Sequence, residues 1–160
     1  MICTAHRLLV ASRKGLIVYA RQGDAWRVHA LHFKGEPVTQ VLADPRNGDW
    51  YAALRLGHFG IKLHKSSDQG QTWKEMAAPA FPPKPTEGEF ADDTTPWSVD
   101  LAWSLQAGGA DEPGVLWAGC IPAGLFKSED GGASWQLNMP LWRQPGRRNW
   151  FGGGYDQAGI

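Results

Sequence analysis

The stretch "SSDQGQTW", Ser66 to Trp73, packs hydroxyls, a carboxylate, a glycine and a tryptophan into one short run. Alone it reads equally well as a catalytic loop or as a tight turn. A second copy separates the two readings. "KSEDGGASW" (Lys127 to Trp135) repeats "KSSDQGQTW" (Lys65 to Trp73) in the pattern K-S-x-D-x-G-x-S/T-W. A weaker third copy, "GLIVYARQGDAW" (Gly15 to Trp26), keeps Gly23 and Trp26 but has Arg21 where the aspartate would stand. Repetition at intervals of roughly 50 to 60 residues is the mark of a stacked or radial architecture.

The flanks repeat as well. Apolar runs precede the boxes: "LLVAS" (Leu8 to Ser12), "WYAAL" (Trp50 to Leu54) and "VLWAG" (Val115 to Gly119). Each box tryptophan opens a further run, "WRVHAL", "WKEM" and "WQLNM". "PVTQVLA" (Pro37 to Ala43) and "PWSVDLA" (Pro96 to Ala102) stand ahead of two repeats. Each full repeat therefore reads as four short strands, near 38–43, 50–55, 61–66 and 73–77, then near 97–103, 115–119, 124–128 and 135–139. No segment sustains a helical period. With Gly 20, Pro 11 and Trp 9, the composition favours short strands joined by turns. Four antiparallel strands per repeat predict an all-β fold, a β-propeller of four-stranded blades.

In such a blade the box is the turn between the third and fourth strands. The carboxylates of Asp68 and Asp130 suit it because they accept backbone N–H bonds within the loop. Gly70 and Gly132 suit it because a position there needs positive φ. Thr72 and Ser134 add local hydroxyl bonds, beside Ser66 and Ser128. Trp73 and Trp135 would pack between neighbouring sheets. The box is therefore expected to be structural.

The chain opens directly on "RLLVAS", so the innermost strand of the first blade is expected to be missing. "YDQAGI" at the other end reads as the approach to another inner strand. The count is about two and two-thirds blades, against about 4–8 in a closed propeller. Further C-terminal blades are expected, the alternative being a ring assembled from short chains. One partial propeller is expected over residues 1–160, with pieces at about 1–31, 37–78 and 96–139 and no separate second domain.

Sixteen basic residues balance 16 acidic ones, so no charge excess points to nucleic acid. No stretch approaches the ~18 apolar residues of a membrane span. "LLVA" is too short for a signal-peptide core. A cytoplasmic location follows as the expectation, with Cys3 and Cys120 as free thiols. His6, His29, His32, His58 and His64 form no ligand spacing, and no metal or other cofactor is expected.

Strand order sorts the loops. The 1→2 turns and the boxes share one face. The 2→3 loops share the other with two long connections, from Ala77 to Thr95 and from Pro140 onward. That second face gathers Arg55, His58, Asp92, Asp93, Arg147, Arg148, Trp150, Tyr155 and Asp156. Guanidiniums, carboxylates and aromatic plates together suit an anionic or sugar-like ligand.

The motif S-x-D-x-G-x-S/T-W resembles the Asp-box, or BNR, motif of sialidase-like propellers, also found in sortilin-type and photosystem-assembly propellers. The chain is similar, end to end, to the N-terminal part of bacterial BNR-repeat proteins labelled glycosyl hydrolase or exo-α-sialidase. The matching segments are "LGHFGIKLHKSSDQGQTW", "DEPGVLWAGCIPAGLFKSEDGG" and "RRNWFGGGYDQAGI". The resemblance implies that the boxes lie opposite the active face. Carried onto this chain, it implies Arg55, Arg147 and Arg148 as carboxylate-gripping groups. It likewise implies Asp92 or Asp93 as acid/base and Tyr155 as nucleophile, with Asp156 beside it and His58 and Trp150 at the ligand. The R-I-P segment usual near the start of sialidases is not in this sequence, and Tyr155 has no evident glutamate partner. Two functions stay open: a glycoside hydrolase acting on a glycan-like small molecule, and a non-catalytic propeller that binds a protein partner or small ligand on the same face.

Overall fold

In the computed structural model, residues 2–3 and 6–160 are described, with side chains from His6 onward. The Cys3 side chain lies outside them. The chain divides into two compact units, Met1–Met76 and Ala77–Ile160.

The first unit holds two four-stranded antiparallel sheets. One contains β1 (Ile2–Cys3), β2 (Arg7–Ser12), β3 (Gly15–Gln22) and β4 (Ala25–His32), in that order. The other contains β5 (Val38–Ala43), β6 (Trp50–Arg55), β7 (Ile61–Ser66) and β8 (Lys74–Met76). Sequential strands pair with short turns, so the sheets are meanders. Alternation sets what faces inward. Leu16, Val18 and Ala20 of β3 are buried, and the residues between them are partly exposed. In β6 the run from Trp50 to Leu54 is buried throughout. Leu9, Leu16 and Val18 of the first sheet pack on Val38, Val41, Trp50, Ala52 and Leu54 of the second, with Phe33 and Trp73 beside them.

The second unit holds one four-stranded sheet, β9 (Leu101–Ala107), β10 (Leu116–Ile121), β11 (Gly124–Ser128) and β12 (Gln136–Leu137). Residues 77–100 lead into it without regular structure. A single helical turn, α1 (Met139–Trp142), and a 3-10 segment, Pro145–Asn149, follow it. Asn138 caps α1, its side chain accepting from the Leu141 N–H at 3.0 Å. Phe81, Phe90, Trp97, Phe126 and Trp142 form a chain of ring contacts with centroids 4.9 to 6.0 Å apart. Cys120 is free and fully buried in β10, and burial pushes its thiol up to about 12. Such a thiol is inert filler.

The strands of the second sheet fall on the expected spans to within a residue. Two expectations change. The first sheet does have an inner strand, since Ile2 and Cys3 pair with Leu9 and Leu8. Two residues are too few to display a period of two, so the sequence hides them. The first strand of the third sheet begins at Leu101 and not near residue 97. Pro96 has no N–H to give a ladder, and Trp97 is engaged with Phe81, Phe90 and Trp142. No described helix is long and apolar enough to cross a membrane.

The core predicts its own sensitivity. Leu16→Ala, at a fully buried position, should cost about 2–5 kcal/mol. Val28→Ala, on the exposed side of β4, should stay within about 0.5 kcal/mol. Thermal or urea denaturation of the two variants measures the difference.

Candidate functional site

The two boxes are built alike, hydrogen bond for hydrogen bond. In the first, the Asp68 carboxylate accepts from the Ser66 hydroxyl at 2.7 Å, the Thr72 N–H at 2.9 Å and the Thr72 hydroxyl at 2.6 Å. The Ser66 hydroxyl in turn accepts from the Gly70 N–H at 2.8 Å. In the second, Asp130 accepts from Ser128 at 2.8 Å and from the Ser134 N–H and hydroxyl at 2.8 and 2.6 Å. The Ser128 hydroxyl accepts from Gly132 at 2.8 Å. Ser66 and Ser128 are buried and act as relays between glycine and carboxylate. That relay is what residue types alone did not reveal.

Two successive residues in each box take positive φ: Gln69 (58°) and Gly70 (91°), then Gly131 (70°) and Gly132 (88°). At Gly70 a Cβ would also come within 3.0 Å of the Trp50 ring. The hydrogen bonds from Thr72 and Ser134, hydroxyl and backbone, and from the box serines hold Asp68 and Asp130 down at about 2. Both oxygens of each carboxylate accept from its own turn.

Around the opposite sheet ends the predicted residues separate. Arg55 is exposed at the end of β6, and His58 sits in the 3-10 turn Gly57–Phe59 with its ring 5.6 Å from that of Phe59. Both belong to the first unit. The others belong to the second, where the long connection and the segment after β12 lie at the β10–β11 end of the sheet. There a Cβ on Gly124 would come 2.8 Å from the Phe81 ring.

Three acids of the connection meet three arginines of the later segment. Arg147 and Asp93 form a buried ion pair. The guanidinium also donates to the Thr95 hydroxyl at 3.0 Å and the Trp142 carbonyl at 2.8 Å, and it lies 3.7 Å over the Trp142 ring. Asp93 further accepts from the Thr95 N–H at 3.0 Å, and Lys84 donates to its carbonyl at 2.6 Å. Burial pushes the Asp93 carboxyl upward, but the Thr95 donors and Arg147 outweigh it and hold the group below the usual carboxylate range. Both oxygens of this carboxylate are thus engaged within the protein. Arg148 meets Asp92 at 3.2 Å and Arg143 meets Glu89 at 3.2 Å, both at the surface, where such pairs contribute about 0–1 kcal/mol. Asp92 is 79 % exposed.

A groove of about 350 Å³ lies between the proline-rich stretch and α1. Pro82, Pro83, Pro85, Phe90, Trp97 and Met139 line it, with Glu87, Glu89 and Arg143 as its charged groups. A smaller cleft of about 180 Å³ is lined by Trp103, Ile121, Phe151 and Tyr155. Tyr155 packs edge-on to Trp103 at 5.4 Å. Trp150 and Asp156 are exposed in the same terminal stretch.

No family model matches the chain, and no curated protein matches it. A solved structure of YCF48 bound to a D1 peptide is similar, with a TM-score of 0.52 at 16 % identity over 84 % of this chain. YCF48 is a β-propeller. The fold is a β-propeller. The chain spans 36 % of the length of that structure. In this propeller the three sheets are blades, and the boxes close the turns β7–β8 and β11–β12.

Two outcomes follow. Asp68 and Asp130 have native pKa values of about 2, below the ordinary 3.8. Their contribution is complete above the ordinary value and is lost as pH falls through the native one. Stability should therefore drop between about pH 4 and pH 2, and Asp68→Asn with Asp130→Asn should flatten that drop in urea titrations at each pH. Asp93→Ala, which strands Arg147, should cost about 3–5 kcal/mol. The double variant Asp93→Leu with Arg147→Met should recover much of this by calorimetry.

Proposed function

We propose that this chain belongs to a non-catalytic binding propeller whose partner is a protein. The observation that carries this reading is the occupation of Asp93 and Arg147 by each other. A hydrolase of the sialidase type needs an acid/base and a guanidinium that are free to meet substrate. The most buried carboxylate and the most buried arginine of the expected set are instead spent on each other. The two loops that carry them also border an apolar groove with charged groups at its edge, the chemistry of a protein contact. The likeness to YCF48, which is bound to a D1 peptide in its structure, supports a peptide-like partner as a matter of fold alone.

The second reading is glycoside hydrolysis. The Asp-box pattern favours it, as do the exposed Asp92, Tyr155 and Asp156 of the second unit. Family likeness of this kind speaks for a scaffold more than for a reaction.

An assay of the full-length protein against aryl glycosides, sialosides included, separates the two. We expect no turnover above the protein-free rate. Turnover abolished by Asp92→Asn or Tyr155→Phe, with an unchanged melting temperature, would establish the hydrolase and sink the binding reading.

A further inference from the structure

The groove beside α1 has a charge imbalance that specifies an occupant. Of its three charged side chains, Arg143 is already matched by Glu89. Glu87 is exposed and has no partner among the described residues. The surrounding segment "TEGEFADD" (Thr86 to Asp93) carries four acids and no base, and three of those acids are answered by Arg143, Arg148 and Arg147. Glu87 is the acid of this segment that no ion pair among the described residues answers, the nearby Lys84 being directed to the Asp93 carbonyl. Glu89 keeps capacity too, because its carboxylate is 56 % exposed and meets Arg143 through one contact at 3.2 Å.

The apolar lining has a matching character. Phe90 and Trp97 offer aromatic surface, and Met139 offers a thioether that adapts to irregular shapes. Three prolines stiffen one side. Their fixed φ leaves little freedom to lose when a ligand arrives. A cation on an aliphatic stem satisfies both halves: the stem covers apolar surface and the head meets carboxylate. At about 350 Å³ the groove is near the small end of the roughly 300–1,000 Å³ of ligand sites. That size suits a side chain of an extended segment.

We propose that this groove receives a lysine or arginine side chain from an extended segment of a protein partner, with the stem against Phe90, Trp97 and Met139 and the cationic head at Glu87 and Glu89. The inference rests on the protein-binding reading given above and names the chemistry of the partner.

The test is fluorescence anisotropy on the full chain with three labelled peptides of equal length. One alternates lysine with proline, one alternates glutamate with proline, and one alternates serine with proline. The lysine peptide should bind, more weakly as salt rises, and the other two should not. Glu87→Gln should weaken it about fivefold, near the upper range for one exposed charge pair, and Glu87→Lys should weaken it further. Asp111→Asn, an exposed acid on the box side, should leave it unchanged. Equal binding of the lysine and glutamate peptides, or binding indifferent to Glu87→Gln, overturns the proposal. So does lysine amide competing as well as the peptide, since the occupant would then be a small cation. Binding of the serine or glutamate peptide alone overturns the cationic groove and leaves protein binding standing. Glycosidase turnover overturns the reading beneath it, so the two failures are distinguishable.

Discussion

A single carboxylate that answers three donors inside its own turn underlies the whole arrangement. Asp68 and Asp130 each satisfy a serine hydroxyl, a backbone N–H and a second hydroxyl. Without that acceptor the donors between the third and fourth strands would turn to solvent and the sharp reversal would lose its internal ties. With it, the reversal is rigid, and the following tryptophan is delivered to a set position. Trp73 then joins the core of the first unit. Trp135 spends its Nε1 proton on the Ala77 carbonyl at 2.9 Å. The same motif thus serves packing in one copy and tethering in the other.

The opposite sheet ends obey a different constraint. There the chain makes long excursions that no ladder supports, and side chains must supply the order. The Asp93–Arg147 pair does so in the second unit, backed by Thr95, Lys84 and Trp142. A buried charge pair is tolerated when its remaining donors and acceptors are also met, and these are. It joins two stretches far apart in sequence, beside the ring contacts of Trp97 with Phe90 and Trp142.

Much of the fold was legible because it repeats. The second copy of the box marked "SSDQGQTW" as a turn, and the turns located the strands of the second sheet almost residue by residue. Departures arose where local pattern is too short or tertiary packing prevails. Ile2–Cys3 is below the length at which alternation can be seen, and the Trp97 region is held by aromatic contacts from distant residues. The candidate site was legible only as a collection. Residue types singled out Asp93 and Arg147, but not that they answer each other. The signal was present in the two connections, where Glu89, Asp92 and Asp93 stand without local counterions and Arg143, Arg147 and Arg148 do likewise. Matching such complementary runs requires knowing that the loops share a sheet end, which comes from topology. Arg55 and His58 lie in the other unit, so a face defined by strand order alone was broader than any one cluster.

The left-handed backbone at Gln69 carries an implication for how such repeats diverge. Its counterpart is Gly131, so one copy meets the conformational demand with an achiral residue and the other with a side chain that tolerates it at some strain. Over evolutionary time that site is open to glycine, asparagine and aspartate and closed to valine, isoleucine and threonine, whatever the protein binds. Variation there records the geometry of a bend.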